Sequence, residues 1–247
     1  MHQQHEVDTV LRFVAGGLND SQISRATGIN RTSIREWRRN GPPPRRRRTR
    51  PSACPRCDGV PLDEPGYAYL LGLYLGDGCI SRGPRAYRLR IVQDARYSHL
   101  ITLTEVAIAR VRGGSAKVGS VRKVGCVEIY SYWQHWPCLF PQHGLGRKHL
   151  RAIILQDWHR PPVTTYPKQL IRGLIHSDGC RSVNRVWKGR YEYPRYFFTN
   201  TSDDIQQIFK DASDAIEVAY RNSRVNAISI ARCRDVARLD SFIGPKA

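Results

Sequence analysis

Apolar residues recur at helical spacing three times near the start of the chain: Val7, Val10, Leu11 and Val14; then Ile23 and Ala26; then Ile34 and Trp37. This predicts three short helices within residues 6–39. Gly16-Gly17 ends the first, Asn19 and Asp20 offer caps for the second, Gly28 turns the chain and Asn30 caps the third. Small Ser24, Gly28, Ile34 and Trp37 fall at the spacing of a helix-turn-helix. Its last helix would present Arg31, Thr32, Ser33, Arg35, Glu36 and Arg38 to a major groove, although the apolar pattern alone suits any three-helix bundle.

Further along, the period changes. Residues 87–93 alternate, with Arg88 and Arg90 on one face and Leu89 and Ile91 on the other, as in a half-buried strand. A helix is expected over about 98–111, a strand pair around 117–121 and 126–132, and a helix near 133–140. The remaining chain reads the same way. A strand at 195–200 precedes a helix over about 202–220, a strand at 226–231 and a last helix over about 235–243.

Two mostly apolar runs head these two halves. They are Leu70-Leu71-Gly72-Leu73-Tyr74-Leu75-Gly76-Asp77-Gly78-Cys79 and Ile171-Arg172-Gly173-Leu174-Ile175-His176-Ser177-Asp178-Gly179-Cys180. Each is too short to span a bilayer and reads as a buried helix. At a constant offset of 101 residues, Gly72, Leu73, Asp77, Gly78 and Cys79 recur as Gly173, Leu174, Asp178, Gly179 and Cys180. Small residues four apart, Gly72 and Gly76, then Gly173 and Ser177, form a groove that admits a second backbone. The glycine after each Asp is expected to supply the left-handed turn that ends a helix. If the helices pack through their small faces, Asp77 and Asp178 arrive side by side. One Asp-Gly at a helix end is ordinarily a cap; two copies at a fixed offset point instead to metal ions and a phosphodiester.

Composition sharpens this. The 247 residues carry 40 Lys+Arg against 21 Asp+Glu, a formal charge of +19, which suits a polyanionic partner. The expected partner is double-stranded DNA rather than a membrane, because no apolar run reaches bilayer length. The N-terminus lacks a signal-peptide core, so a cytoplasmic protein is expected. Residues 41–53 hold Pro42-Pro43-Pro44 and Arg45-Arg46-Arg47-Arg48, a stiff basic stretch that serves as a tether or as an arm along the DNA backbone. Seven cysteines without a secretory signal argue for reduced thiols or metal ligation. Cys54-x-x-Cys57 is half a zinc site; Cys138 and His143 are the best candidates to complete it, with His149 in reserve, and two lone surface thiols are the alternative.

The paired motifs resemble those of the LAGLIDADG homing endonucleases: "LLGLYLGDG" and "IRGLIHSDG" stand where that nine-residue motif would. The resemblance covers roughly residues 67–247, and its sixth position, often acidic in the family, is Leu75 in one copy and His176 in the other. It implies an α+β fold of two αββαββα repeats related by a pseudo-twofold axis, with antiparallel saddle sheets, beside a small all-α helix-turn-helix domain. The expected boundaries are 1–40 for the helix-turn-helix and 41–66 for the linker with its CxxC knuckle, both read from the residues themselves, and 67–165 and 166–247 for the repeats. The resemblance further implies that Asp77 and Asp178 each hold Mg2+ and that one chain, as a monomer, cleaves both DNA strands. Gln93 matches a water-ordering position with Ser202 as its counterpart. Lys148 and Lys246 match the basic residue that ends each half, although Lys246 is also readable as a plain surface lysine. Arg88 and Arg90 of the first saddle, and Arg185, Lys188 and Arg195 of the second, would face DNA. The alternative is a transcription regulator that keeps the saddle and does not cleave.

Overall fold

The computed structural model describes residues 4–41, 53–113, 116–140, 142–144, 146–187 and 190–244. Its contacts divide the chain into two units, Met1–Arg50 and Pro51–Ala247. The CxxC knuckle therefore belongs with the second unit rather than with the linker, and the two repeats do not separate from each other.

In the first unit, α1 (Gln4–Ala15), α2 (Asp20–Thr27) and α3 (Arg31–Asn40) enclose a small core of Val10, Ile23, Ile29, Ile34 and Trp37. Asn19 and Gln22 form a reciprocal capping box at the start of α2. Gly28 ends that helix in the left-handed region at φ 71°, and the Asn30 side chain accepts from the Thr32 amide at 2.8 Å. The three-helix order and the caps at residues 19, 28 and 30 follow the expected pattern.

The second unit opens with α4 (Pro55–Asp58). Next come α5 (Glu64–Asp77), β1 (Gly78–Arg82), β2 (Tyr87–Asp94), α6 (Ser98–Arg112), β3 (Val118–Lys123), β4 (Cys126–Trp133) and α7 (Trp136–Leu139). After α8 (Arg160–Thr165) the series repeats as α9 (Pro167–Asp178), β5 (Gly179–Val186), β6 (Tyr191–Thr199), α10 (Asp203–Ala215), β7 (Arg221–Arg224), β8 (Ala227–Ile230) and α11 (Cys233–Ile243). The fold is thus α+β, with two αββαββα units and two antiparallel sheets ordered β1-β2-β4-β3 and β5-β6-β8-β7. Leu89, Ile91 and Ile129 of the first sheet and Tyr196, Phe198 and Ile228 of the second face one continuous core.

The core centres on α5 and α9, which make the most extensive contact between any two elements. Every residue of α5 from Tyr67 to Leu75 is buried, as expected of a helix that is apolar all round. Glycines let the two backbones touch. A Cβ at Gly173 would lie 3.0 Å from the Gly72 Cα and would overlap the Tyr69 carbonyl oxygen; one at Gly72 would stand 2.5 Å from the Leu170 oxygen. The expected small-face packing is what the structure contains.

Two expectations about helix ends fail. Gly78 and Gly179 are extended, at φ −86° and −108°, and not left-handed. Glycine is required there for space, because a Cβ would come within 2.4 Å of Tyr74 Cα or 2.7 Å of Ile175 Cα as the chain leaves its helix to start β1 or β5. The helix expected to reach residue 220 stops at Ala215. Glu217 takes a left-handed φ of 54°, and the Glu217 and Val218 amides donate to Asp214 and Ser213 at 2.9 Å each. This Schellman stop is closed by a glutamate, so no glycine announces it. The residues beyond it form β7.

Replacing Gly173 by alanine forces a side chain against immovable backbone and should cost about 3 kcal/mol or more, seen as a lowered midpoint of urea unfolding. Buried His159 supplies a pH-dependent test. The Gln156 backbone amide donates to its Nδ1 at 2.9 Å, the Gln142 side-chain amide stands 3.1 Å from Nε2, and burial pushes its pKa down to about 4. The unfolded chain takes up this proton near pH 6.5, so the contribution is complete above that pH and is lost as pH falls towards 4. In His159→Gln the loss of unfolding free energy between these two pH values should be smaller by up to about 3 kcal/mol.

Candidate active site

Asp77 and Asp178 are the last residues of α5 and α9, and the glycine crossing delivers both to the same end of the helix pair. A Cβ at Gly76 would lie 3.0 Å from Asp178 Cγ and would overlap Ser177, so the turn carrying one acid rests against the other. Asp77 is exposed in a cleft of about 780 Å³ that also presents Gln93, Asp94, Ser177, Arg181 and Asp240. Asp178 is half-buried and lines a cavity of about 300 Å³ with Lys148, His149 and Asn200. Each acid therefore meets side chains from both repeats.

The polar groups around the acids are distinct. Asn200 Nδ2 donates to Asp178 Oδ2 at 2.6 Å, which fixes that carboxylate. Gln93 is buried on the Asp77 side, and its Nε2 has no hydrogen-bond partner among the described residues. An orphaned amide beside a carboxylate is an unmet demand for a water or another polar group. Strand register makes Asn200, not Ser202, the counterpart of Gln93: Gly78 pairs with Ile91 and Gly179 with Phe198, and the two amides each follow two residues later. Ser202 instead caps α10, its Oγ accepting from the Ile205 amide at 3.4 Å. A side-chain amide ending the middle strand of each half was the signal that placed Asn200.

Lys148 closes the end of α5. Its ammonium donates to the carbonyl oxygens of Tyr74, Gly76 and Gly78 at 2.6, 2.6 and 2.9 Å; the Tyr74 oxygen also accepts from the Gly78 amide. Burial pushes this amine down to about 8, while Asp178 and Asp77 hold it up. Lys246 lies outside the described residues; Gly244, the last described residue, lines the Asp77 cleft. His176, at the motif position that departs from the family pattern, is buried and structural. Its Nε2 bonds the Ile243 carbonyl and its Nδ1 the Tyr69 hydroxyl, both at 2.9 Å, pinning α5, α9 and α11 together.

On the first sheet, Arg88 and Arg90 share the open face with Glu128, Tyr130 and Tyr132, as the alternation predicts. They are not free charges. Buried Glu128 accepts from Arg88 and Lys123 at 2.6 Å each and lies 4.0 Å from Arg90, and these cations, Lys123 first, hold its carboxyl below the usual range. Arg88 also stacks 4.4 Å from the Tyr130 ring. On the second sheet Arg185 pairs with Glu192 at 2.8 Å and Arg195 lies over Phe197, while Lys188 is outside the described residues. In the first unit Arg31, Thr32, Arg35 and Arg38 are exposed on α3 and Ser33 is half-buried. Arg38 and Arg35 pair with Asp20 at 3.0 and 3.5 Å. Arg45, Arg46, Arg47 and Arg48 lie outside the described residues.

The cysteine cluster comes together with His135 in the place expected for His143. Donor atoms of Cys54, Cys57, His135 and Cys138 all lie within 4.8 Å of one another. His143 is not among them; its Nδ1 is 3.0 Å from the Phe140 carbonyl oxygen and its ring meets Tyr87 edge-on. The missed signal is spacing, because His135-x-x-Cys138 repeats the step of Cys54-x-x-Cys57.

No family model matches the chain, and no curated protein does. Solved structures similar to it include LAGLIDADG proteins. Mesophilic variants of the homing endonuclease I-DmoI superpose with a TM-score of 0.46 and 16% identity, over 74% of this chain and 97% of theirs. The N-terminal LAGLIDADG domain of DUF199/WhiA gives a TM-score of 0.45 and 13% identity, over 74% of this chain and 83% of that one. The LAGLIDADG meganuclease I-AabMI, bound to uncleaved DNA, gives 0.44 and 13%, over 71% and 82%.

Proposed function

We propose that the chain is a site-specific endonuclease of double-stranded DNA that hydrolyses one phosphodiester on each strand and leaves a staggered break. One observation supports this reading: the glycine crossing of α5 and α9 brings both acids to one end of the helix pair, each in its own solvent-open recess. Carboxylate oxygens are donors that a hard divalent cation prefers. Magnesium held by Asp77 and Asp178 would neutralise phosphate charge and lower the pKa of an attacking water.

The chain's own groups have separable tasks in this reading. Asn200 orients Asp178 through its 2.6 Å hydrogen bond, and the orphaned amide of Gln93 orders water beside Asp77. Lys148 keeps a positive charge beside the Asp178 recess, where it stabilises the charge that develops on phosphate. Lys246 is its proposed equivalent in the second repeat. Arg88, Arg90 and Arg195 hold the duplex from the open faces of the two sheets, with Glu128 pairing to Arg88 and Arg90; Arg185, which the register sets on the opposite face from Arg195, and Lys188 add contacts at the edge of the second sheet. The exposed face of α3, with Arg31, Thr32, Ser33, Arg35 and Arg38, and the arm of Arg45 to Arg48 add DNA contacts outside the core unit. Because one chain carries both acids, it acts as a monomer with internal pseudo-twofold symmetry, in the cytoplasm.

The test is incubation with a randomised duplex library and Mg2+, with EDTA as control. Wild type should produce metal-dependent double-strand cuts at a defined site. Asp77→Asn or Asp178→Asn should leave nicking at most, and the double variant should bind duplex as tightly without cutting. Lys148→Met should slow cleavage about 100-fold. Tight binding by wild type with no metal-dependent cut would make the protein a non-catalytic regulator instead.

A further inference from the structure

We propose that Cys54, Cys57, His135 and Cys138 form a closed, four-ligand zinc site that fastens the start of the core unit to the end of β4. The site is remote in chemistry from the paired acids and does not rest on the nuclease reading. Each half is an i, i+3 pair on one short helical turn. Cys54 is the N-cap of α4 and Cys57 lies in its turn; His135 is the N-cap of α7 and Cys138 lies in its turn. This spacing turns both donors of a pair to one side.

The two pairs then face each other. Cys57 Sγ stands 3.4 Å from His135 Nδ1 and 3.6 Å from Cys138 Sγ, and Cys138 Sγ stands 3.6 Å from the same Nδ1. An ion bound at about 2.3 Å to sulfur and about 2.0 Å to nitrogen in a tetrahedron needs ligand separations of roughly 3.5–3.8 Å. A disulfide requires its sulfurs about 2.05 Å apart, so the 3.6 Å separation fits two thiolates sharing an ion. Three sulfurs and an imidazole select a soft or borderline cation such as zinc, whereas the carboxylates of Asp77 and Asp178 suit magnesium. With four protein donors the site has no open position for a substrate, which makes its role structural.

The surroundings show why such a fastening is needed. Helix α4 is a four-residue turn, too short to persist by itself. The turn is shaped in advance by the Cys54 amide donating to Asp58 Oδ2 at 2.9 Å and by Gly59 in the left-handed region at φ 65°. Besides the cysteines, the Arg56 guanidinium reaches the core, 4.6 Å from the Trp158 ring. The ion would join Cys57 to His135 and Cys138, 78 and 81 positions away, so it closes the chain around the whole first sheet.

Elemental analysis of the full chain, purified under reducing conditions, tests this directly. About one zinc per chain is expected. His135→Ala and Cys57→Ser should lose it, His143→Ala should keep it, and His135→Cys should keep it through a fourth thiolate. Replacement by Co2+ should give thiolate charge-transfer and tetrahedral ligand-field bands that shift in His135→Cys, a readout that does not depend on how well the alanine variant folds. Stripping the ion should lower Tm. Less than about 0.1 zinc per chain with Tm unchanged by chelator, iron in its place, a Cys57–Cys138 disulfide, or zinc lost in His143→Ala but kept in His135→Ala would each overturn the proposal.

Discussion

Everything in the core unit depends on one close approach, where the backbones of α5 and α9 pass with only Gly72 and Gly173 between them. No side chain separates the helices there, so their axes come nearer than two ordinary helices allow. The approach continues one turn later at Gly76 and Ser177, and the two acids are the next residues of each helix. The sheets that start at Gly78 and Gly179 take their positions from the same crossing, because each strand leaves its helix without an intervening loop.

Repetition of the motif does not produce identical surroundings. Asp77 is open to a wide cleft, while Asp178 is held by Asn200 in a narrower recess beside Lys148. The lysine of the first repeat closes the end of its own motif helix and stands by the acid of the second. His176 shows a motif position taken over for packing: where an acid would have brought charge into the core, the imidazole bonds a tyrosine hydroxyl and a terminal carbonyl and ties three helices. In the first sheet Glu128 gathers two arginines and a lysine, which sets their geometry and removes one unit of charge from the face.

The duplication, the buried character of α5 and the alternation around Arg88 to Ile91 were legible in the sequence because each is a local pattern with its own period. The caps at Asn19, Gly28 and Asn30 were legible for the same reason. What escaped depended on contacts between distant residues. Gly78 and Gly179 were readable as indispensable, but their reason is a clash with the preceding helical turn and not a left-handed backbone. The partner of Gln93 emerged only from strand register, which moved the assignment from Ser202 to Asn200. His135 was preferred over His143 by the pairing of two helical turns. The stop at Glu217 carries no sequence mark, since a glutamate occupies a conformation that usually goes to glycine.

The account stands on the two acids forming one centre across the helix crossing. Crystals of the full chain with a cognate duplex and Mn2+ would locate the metals by anomalous scattering. The account predicts separate peaks in contact with Asp77 and with Asp178, flanking the DNA between them. Peaks at only one acid, or at neither while the duplex occupies the saddle, would contradict it.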